Sequence, residues 1–235
     1  MKKLYIITLL FIFGAASQGF CQIDTKEVLN KVMKFYKNTP SYQIEATYKM
    51  LRGLTGNNST ETYTGVMTKQ GDYNRFSVLN SEVIQSSKFR LTLDHDSKTM
   101  VYANQDNPGI NSSPLDISKF LDFFEASKVS EEGGVLVCEL ISSKRNQQMP
   151  YGKIALYIDK ATSQVKKQVF YFSTLIPFKE GNTTKMDYGR LVVELKHKKA
   201  ISNTFNMQDY VHFSNNNKVE VTEKFQQYKL INQVN

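Results

Sequence analysis

Apolar and polar positions change period early in the chain. Between Asp24 and Asn38 the apolar residues Val28, Leu29, Val32, Met33 and Tyr36 recur at helical spacing and fall on one face. Asp24 stands at the start as a cap, with Glu27 three residues later in the manner of a capping box, and Asn38 and Pro40 end the run. From Tyr42 the period is two. Tyr42, Ile44, Ala46, Tyr48 and Met50 alternate with Gln43, Glu45, Thr47 and Lys49, which predicts a strand with one face on a core and the other in water. A Gly/Asn/Ser/Thr-rich loop follows. The segment "ETYTGVMTKQ", the turn signal Gly71-Asp72 and "YNRFSVLN" then read as a hairpin. "SEVIQSS", "KFRLTL" and "TMVYAN" continue as short strands.

A second helical pattern lies in "NSSPLDISKFLDFFEASK". Ser113 stands at the N-cap, Pro114 at the first helical position and Asp116 at the third. Leu115, Ile117, Phe120, Leu121, Phe123 and Phe124 give this helix a broad apolar face, which calls for burial. It either covers one side of a sheet or closes a hydrophobic cavity. Strands resume with "GGVLVCELIS", "GKIALYID", "VKKQVFYFS" and "RLVVELKHK". "NTFNMQDYVHF" is irregular, and "NKVEVTEKFQQYKL" ends the chain with Val219, Val221 and Phe225 facing one way. No repeat, linker or low-complexity tract divides the pattern. The expectation is one domain of about ten strands and two helices.

The N-terminus stands apart from that domain. Lys2 and Lys3 precede the apolar run "LYIITLLFIFGAA", and small residues offer cleavage after Ser17 or after Cys21. This is the pattern of a cleaved secretory signal, too short to span a bilayer as a membrane anchor. Residues 1–21 are therefore read as the signal peptide and 22–235 as the folded domain. Lipid attachment at Cys21 is the alternative, but Phe20 beside the cysteine fits a lipobox poorly. Loss of Lys2 and Lys3 leaves 28 basic residues against 22 acidic and lowers the net charge from +8 to +6. The basic residues are scattered, with one cluster in "LKHKKA", and no nucleic-acid-binding motif carries them. Cys138 is the one cysteine left after cleavage at 21. No internal disulfide can form, so a hydrophobic core must supply the stability.

Candidate chemistry is sparse. Asp94, His95 and Asp96 sit side by side between two alternating strands, but neighbours on a strand point to opposite faces, and Asp and Ser are turn formers. "DHDSK" is read as a hairpin turn. The remaining histidines, His197 and His212, are distant. No nucleophile elbow, phosphate loop, dinucleotide fingerprint or zinc motif occurs. Glu45, Glu61, Glu139 and Glu194 fall on apparent solvent faces of strands, where ordinary charges belong. No catalytic residue, metal ligand or cofactor is assigned. Soft apolar residues are abundant instead: 15 Phe, 13 Tyr and 8 Met, with no Trp. They make either a filled core or the lining of a cavity for varied apolar ligands.

The order of these segments resembles the LolA-like superfamily of periplasmic carriers of outer-membrane lipoproteins. The likeness runs through the helix "DTKEVLNKVMKFYKN" after the signal, the strand "YQIEATYKM", the pair in "GVMTKQGDYNRFSV", and "LDHDSKTMVYANQDN". It continues through the helix from Ser113, "ALYIDKATSQVKKQVF" and the late "DYVHF". His95 stands where these carriers commonly have an Asp-Gly turn. The resemblance implies an α+β fold: a strongly curved antiparallel sheet forming an open half-barrel, an N-terminal helix, and a helix covering the concave face. It implies a carrier that holds lipid or lipoprotein acyl chains in the concavity, with Tyr48, Met50, Phe76, Val78, Leu91 and Leu93 lining it and Phe120, Leu121 and Phe124 on a lid helix. The implied partners are lipid or acylated protein cargo and a membrane-associated donor or acceptor protein, not nucleic acid, and the implied location is the periplasm. The alternatives are a non-enzymatic envelope scaffold or sensor domain with a protein partner, and a hydrolase whose carboxylates meet only in space.

Overall fold

The computed structural model describes residues 23–104, 124–142, 150–198, 205–214 and 218–233. Helix α1 (Thr25–Asn38) opens the fold. Asp24 caps it by accepting a hydrogen bond from the Lys26 N–H at 2.9 Å. Glu27 does not complete a capping box; it pairs with Lys31 one turn on, at 2.7 Å. Val28, Leu29, Val32 and Tyr36 are buried, as the spacing predicts, and each apolar side chain so buried contributes roughly 1.5–3 kcal/mol.

Two antiparallel meanders follow. The first comprises β1 (Ser41–Arg52), β2 (Ser59–Gln70), β3 (Tyr73–Val78), β4 (Ser81–Gln85), β5 (Phe89–Asp94) and β6 (Thr99–Asn104). The second comprises β7 (Phe124–Glu132), β8 (Val135–Ser142), β9 (Tyr151–Asp159) and β10 (Val165–Phe172). A small hairpin, β11 (Ile176–Glu180) and β12 (Thr183–Asp187), leads into β13 (Gly189–Lys198). β14 (Val211–Phe213) and β15 (Val219–Val221) form a separate pair before β16 (Lys229–Asn232). β13 lies between β1 and β10 and joins the meanders into one twelve-stranded sheet, ordered β16-β6-β5-β4-β3-β2-β1-β13-β10-β9-β8-β7. β16 runs parallel to β6, so the sheet is mixed and not wholly antiparallel as expected. The expectation of about ten strands is exceeded because β7 extends from the second helical pattern, the β11–β12 hairpin lies in a stretch read as a loop, and the C-terminal segment contributes the short strands β14, β15 and β16.

Register places the core on both faces of this sheet. Cross-strand partners share a face, so Ile44, Met67, Phe76 and Val83 lie on the same side as α1. On that helix face Val28, Leu29, Val32 and Tyr36 pack with Ile44, Ala46, Met67, Leu140, Leu156, Ile158 and Leu195. On the opposite face Ile84 pairs with Leu91, Leu91 with Tyr102, and Leu93 with Met100. There they pack with Phe205, Met207, Tyr210, Val211, Val219 and Phe225 of the C-terminal segment. Leu91 and Leu93 are thus not part of a lining shared with Tyr48 and Met50. Strand alternation turns them to the other side, where they are fully buried.

The second helical pattern begins outside the described residues, and so do Phe120 and Leu121. Its C-terminal end is corrected: Phe124 opens the edge strand β7, and its pairing with β8 runs from Phe124↔Ser142 to Glu132↔Val135. Among the described residues no helix is long and apolar enough to cross a membrane.

Candidate functional site

The helix face is only partly roofed by α1. The C-terminal turn of the helix sits at the start of β1: the Tyr36 ring meets Tyr42 edge-on at 5.5 Å, and Lys69 Nζ donates to the Tyr36 carbonyl at 2.8 Å. Tyr48 and Met50 lie four and six residues beyond Ile44 on the same face, about 13–20 Å along the strand. They are half-buried there, as are Phe76, Leu191, Phe170, Tyr151 and Phe124, all but Met50 packed against the margin of the helix-face core. Val78 and Tyr63 extend this apolar surface into solvent, at 38% and 39% exposure.

Close approach of the neighbouring strand requires a glycine beside Tyr48. A Cβ on Gly65 would stand 2.9 Å from the Ser77 carbonyl oxygen and 3.4 Å from both Tyr48 Cε2 and Val78 Cβ. The bare glycine therefore lets the Tyr48 ring lie down beside Val78. Burial raises the Tyr48 hydroxyl pKa above its ordinary value, and among the described residues the hydroxyl has no hydrogen-bond partner. One row runs across the sheet from Tyr63 through Tyr48, Val193, Gln168 and Leu156 to Cys138. Gln168 is the one amide in it. Its residue is 5% exposed, and its Nε2 has no partner among the described residues.

Of the residues expected to line a cavity, Tyr48, Met50, Phe76 and Val78 are brought to one face, and Phe124, expected on a lid helix, reaches the same face from strand β7. Leu191, Phe170 and Tyr151 join them and were not foreseen. Alternation identified their strands, but nothing local says that β13 inserts between β1 and β10.

The polar candidates resolve separately. Asp94 accepts from the Asp96 and Ser97 backbone N–H groups at 2.9 and 3.1 Å, and these Ser97-led hydrogen bonds hold its carboxyl below the usual range. The segment Asp94–Lys98 is a turn, as expected. His95 is more than a turn residue: its Nδ1 lies 2.6 Å from the Tyr228 hydroxyl and its Nε2 3.6 Å from Glu82. Glu82 also accepts from the Tyr210 hydroxyl at 2.7 Å and lies 3.7 Å from Arg75 Nε. Burial, then this bond, pushes the Tyr210 hydroxyl up to about 12. The cluster ties the C-terminal segment to the first meander through partners far apart in sequence, so no local motif announces it.

Beneath α1 a hydrogen-bonded chain runs from the Val165 N–H to the Tyr36 hydroxyl (3.1 Å) and on to His197 Nε2 (2.8 Å). The Tyr36 hydroxyl thus links the Val165 N–H to Nε2, and the other ring nitrogen of His197, Nδ1, is a buried atom without a partner among the described residues. Burial lowers the His197 pKa to about 4 and keeps the ring neutral. Glu45, Glu139 and Glu194 each pair with a lysine, Lys198, Lys153 and Lys49, at 2.8, 3.0 and 2.8 Å. Cys138 is fully buried, and burial pushes its thiol up to about 11, far from the range of a nucleophile. Among the described residues no group of three His, Cys, Asp or Glu side chains is placed to hold a metal ion.

No protein-family model matches the chain, and no curated protein matches it. Solved structures similar to it include an uncharacterized conserved protein from Thermus thermophilus, 13% identical, with a TM-score of 0.44 over 88% of this chain and 98% of that one. LolA superfamily structures are among them. One from Nitrosomonas europaea is 8% identical, with a TM-score of 0.32 over 74% of this chain and 92% of that one. A putative outer membrane lipoprotein-sorting protein domain from Vibrio parahaemolyticus is 12% identical, with a TM-score of 0.35 over 76% and 95%. At these identities no residue role transfers.

Proposed function

We propose that this protein is an exported binding or carrier protein for lipid or lipoprotein acyl chains, taken up on the apolar helix face. One observation carries the reading: Tyr48, Met50, Phe76, Val78, Leu191 and Phe170 form a partly exposed apolar surface beside a core that α1 already closes. Such a surface binds by burial alone. Each methylene removed from water contributes about 0.8 kcal/mol, so a long chain is a strong ligand without any catalytic group. Cleavage of residues 1–21 would deliver the domain to the periplasm, where a membrane-associated donor and acceptor would load and unload it.

The alternative is a scaffold or sensor domain with a protein partner and a filled interior. The full burial of Leu140, Leu156 and Cys138 on the same face favours it. Native mass spectrometry of the exported protein, with titration of a fluorescent fatty acid, separates the two. The carrier reading expects bound lipid or saturable uptake, with uptake lost in a folded Met50→Asp/Phe170→Asp variant. A bare processed mass and no uptake by the wild type would refute it in favour of the scaffold.

A further inference from the structure

We propose that Gln168 is the hydrogen-bond donor of the helix-face site and that it selects ligands bearing an acyl carbonyl, an ester or amide, over plain alkyl chains. This inference rests on the acyl-chain reading above and adds a polar specificity to it. Gln168 occupies a helix-face position whose cross-strand partners are Val193 and Leu156, at 4% and 0% exposure. Two residues along β10 on the same face comes Phe170, part of the half-buried apolar surface. An amide in that setting loses its water on folding, and its Nε2 gains nothing from the described residues in return.

A leucine would fill the place without leaving a donor stranded, so the amide serves packing poorly. A bridging water needs two to four polar partners, and the flanking Val193, Leu156 and Phe170 side chains supply none. Tyr48, two strands away in the same row and so roughly 10 Å across the sheet, is half-buried, and its hydroxyl is not among the buried atoms left without a partner. A single donor set in an apolar face matches an amphiphile that is hydrocarbon over most of its length and polar at the acyl linkage. His197 Nδ1 is also unpartnered among the described residues, but its ring is tied to Tyr36 under the helix and belongs to the packing of α1.

The test compares two probes of equal chain length, 1-palmitoyl lysophosphatidylcholine and its 1-O-hexadecyl ether analogue, which lacks the carbonyl. Binding to the exported wild-type protein is measured below the micellar concentration by tyrosine fluorescence or calorimetry. The wild type is expected to bind the ester about 2- to 10-fold more tightly, the increment of one buried hydrogen bond. Gln168→Leu is expected to bind both probes alike, at the wild-type affinity for the ether, and to melt no lower than the wild type. Gln168→Met provides a second apolar variant should the leucine fail to fold. Equal binding of both probes by the wild type, or a preference that survives in the apolar variants, would overturn the role of Gln168 and leave the acyl-chain reading standing. Binding of neither probe would overturn both.

Discussion

Removing the Tyr36 hydroxyl tests the linkage that seats the first helix. In Tyr36→Phe the ring stays, and with it the edge-on packing against Phe35 at 5.0 Å and Tyr42 at 5.5 Å. What is lost is the single atom that receives the Val165 N–H and shares a hydrogen bond with His197 Nε2. Val165 is fully buried, so its N–H has no other partner to turn to. A buried group left unpaired costs about 1–3 kcal/mol, and the half-exposed His197 ring recovers part of its share from water, for a total of about 2–4 kcal/mol. For a chain of this size that corresponds to a fall in Tm of roughly 4–16 °C. Urea unfolding followed by circular dichroism at pH 7.5 should show a lower midpoint with an unchanged slope. The double variant Tyr36→Phe/His197→Leu should cost less than the sum of the single changes, because one interaction cannot be lost twice. A Tyr36→Phe protein within about 0.5 kcal/mol of the wild type would refute the hydrogen-bonded chain.

Two further outcomes follow from the same geometry. His197 takes up a proton near pH 6.5 in the unfolded chain but only near 4 in the fold, so stability falls as pH drops from 6.5 to 4 and levels off below. Solvent screening on the open side of the ring reduces this to about 1–2 kcal/mol, and His197→Gln should flatten that window of the pH–stability curve. Glu82→Gln removes the charge shared by Arg75, His95 and Tyr210. It should loosen residues 205–233 and speed their hydrogen exchange while α1 keeps its protection, and uniform loosening of both would contradict the assignment.

Much of this fold could be read in the sequence, because its determinants are local. The period of α1, the alternation of β1 and the turn at Asp94–Lys98 depend only on neighbouring residues. What escaped is set by long-range pairing. Leu91 and Met50 have similar alternating surroundings, and only the chain of registers from β1 through β5 places them on opposite faces. The strand β10 reads as apolar on both sides and suggests cover on both. On its second face, however, Val169 packs with Leu51, Ala155 and Val192, with Tyr157 and Tyr171 at the margin, and Lys167 and Lys153 lie over those two rings at 3.7 and 4.4 Å. Long amphipathic side chains there stand in for a second layer. A lone glutamine in a strand is ordinary until its burial is known, so Gln168 carries no signal in the sequence.

The placement of the last strand also dictates when the protein can fold. Leu91, Leu93 and Met100 are synthesised early, but the aromatic residues that cover them, Phe205, Tyr210 and Phe225, follow only much later in the chain. The first meander must therefore wait with an apolar face bare and its β6 edge unpaired until residues 229–232 dock there. A chain arranged this way gains little from folding as it is made, and contacts of such long sequence separation form slowly. The first meander and the segment that covers it therefore complete their fold together, after residues 205–232 have been made.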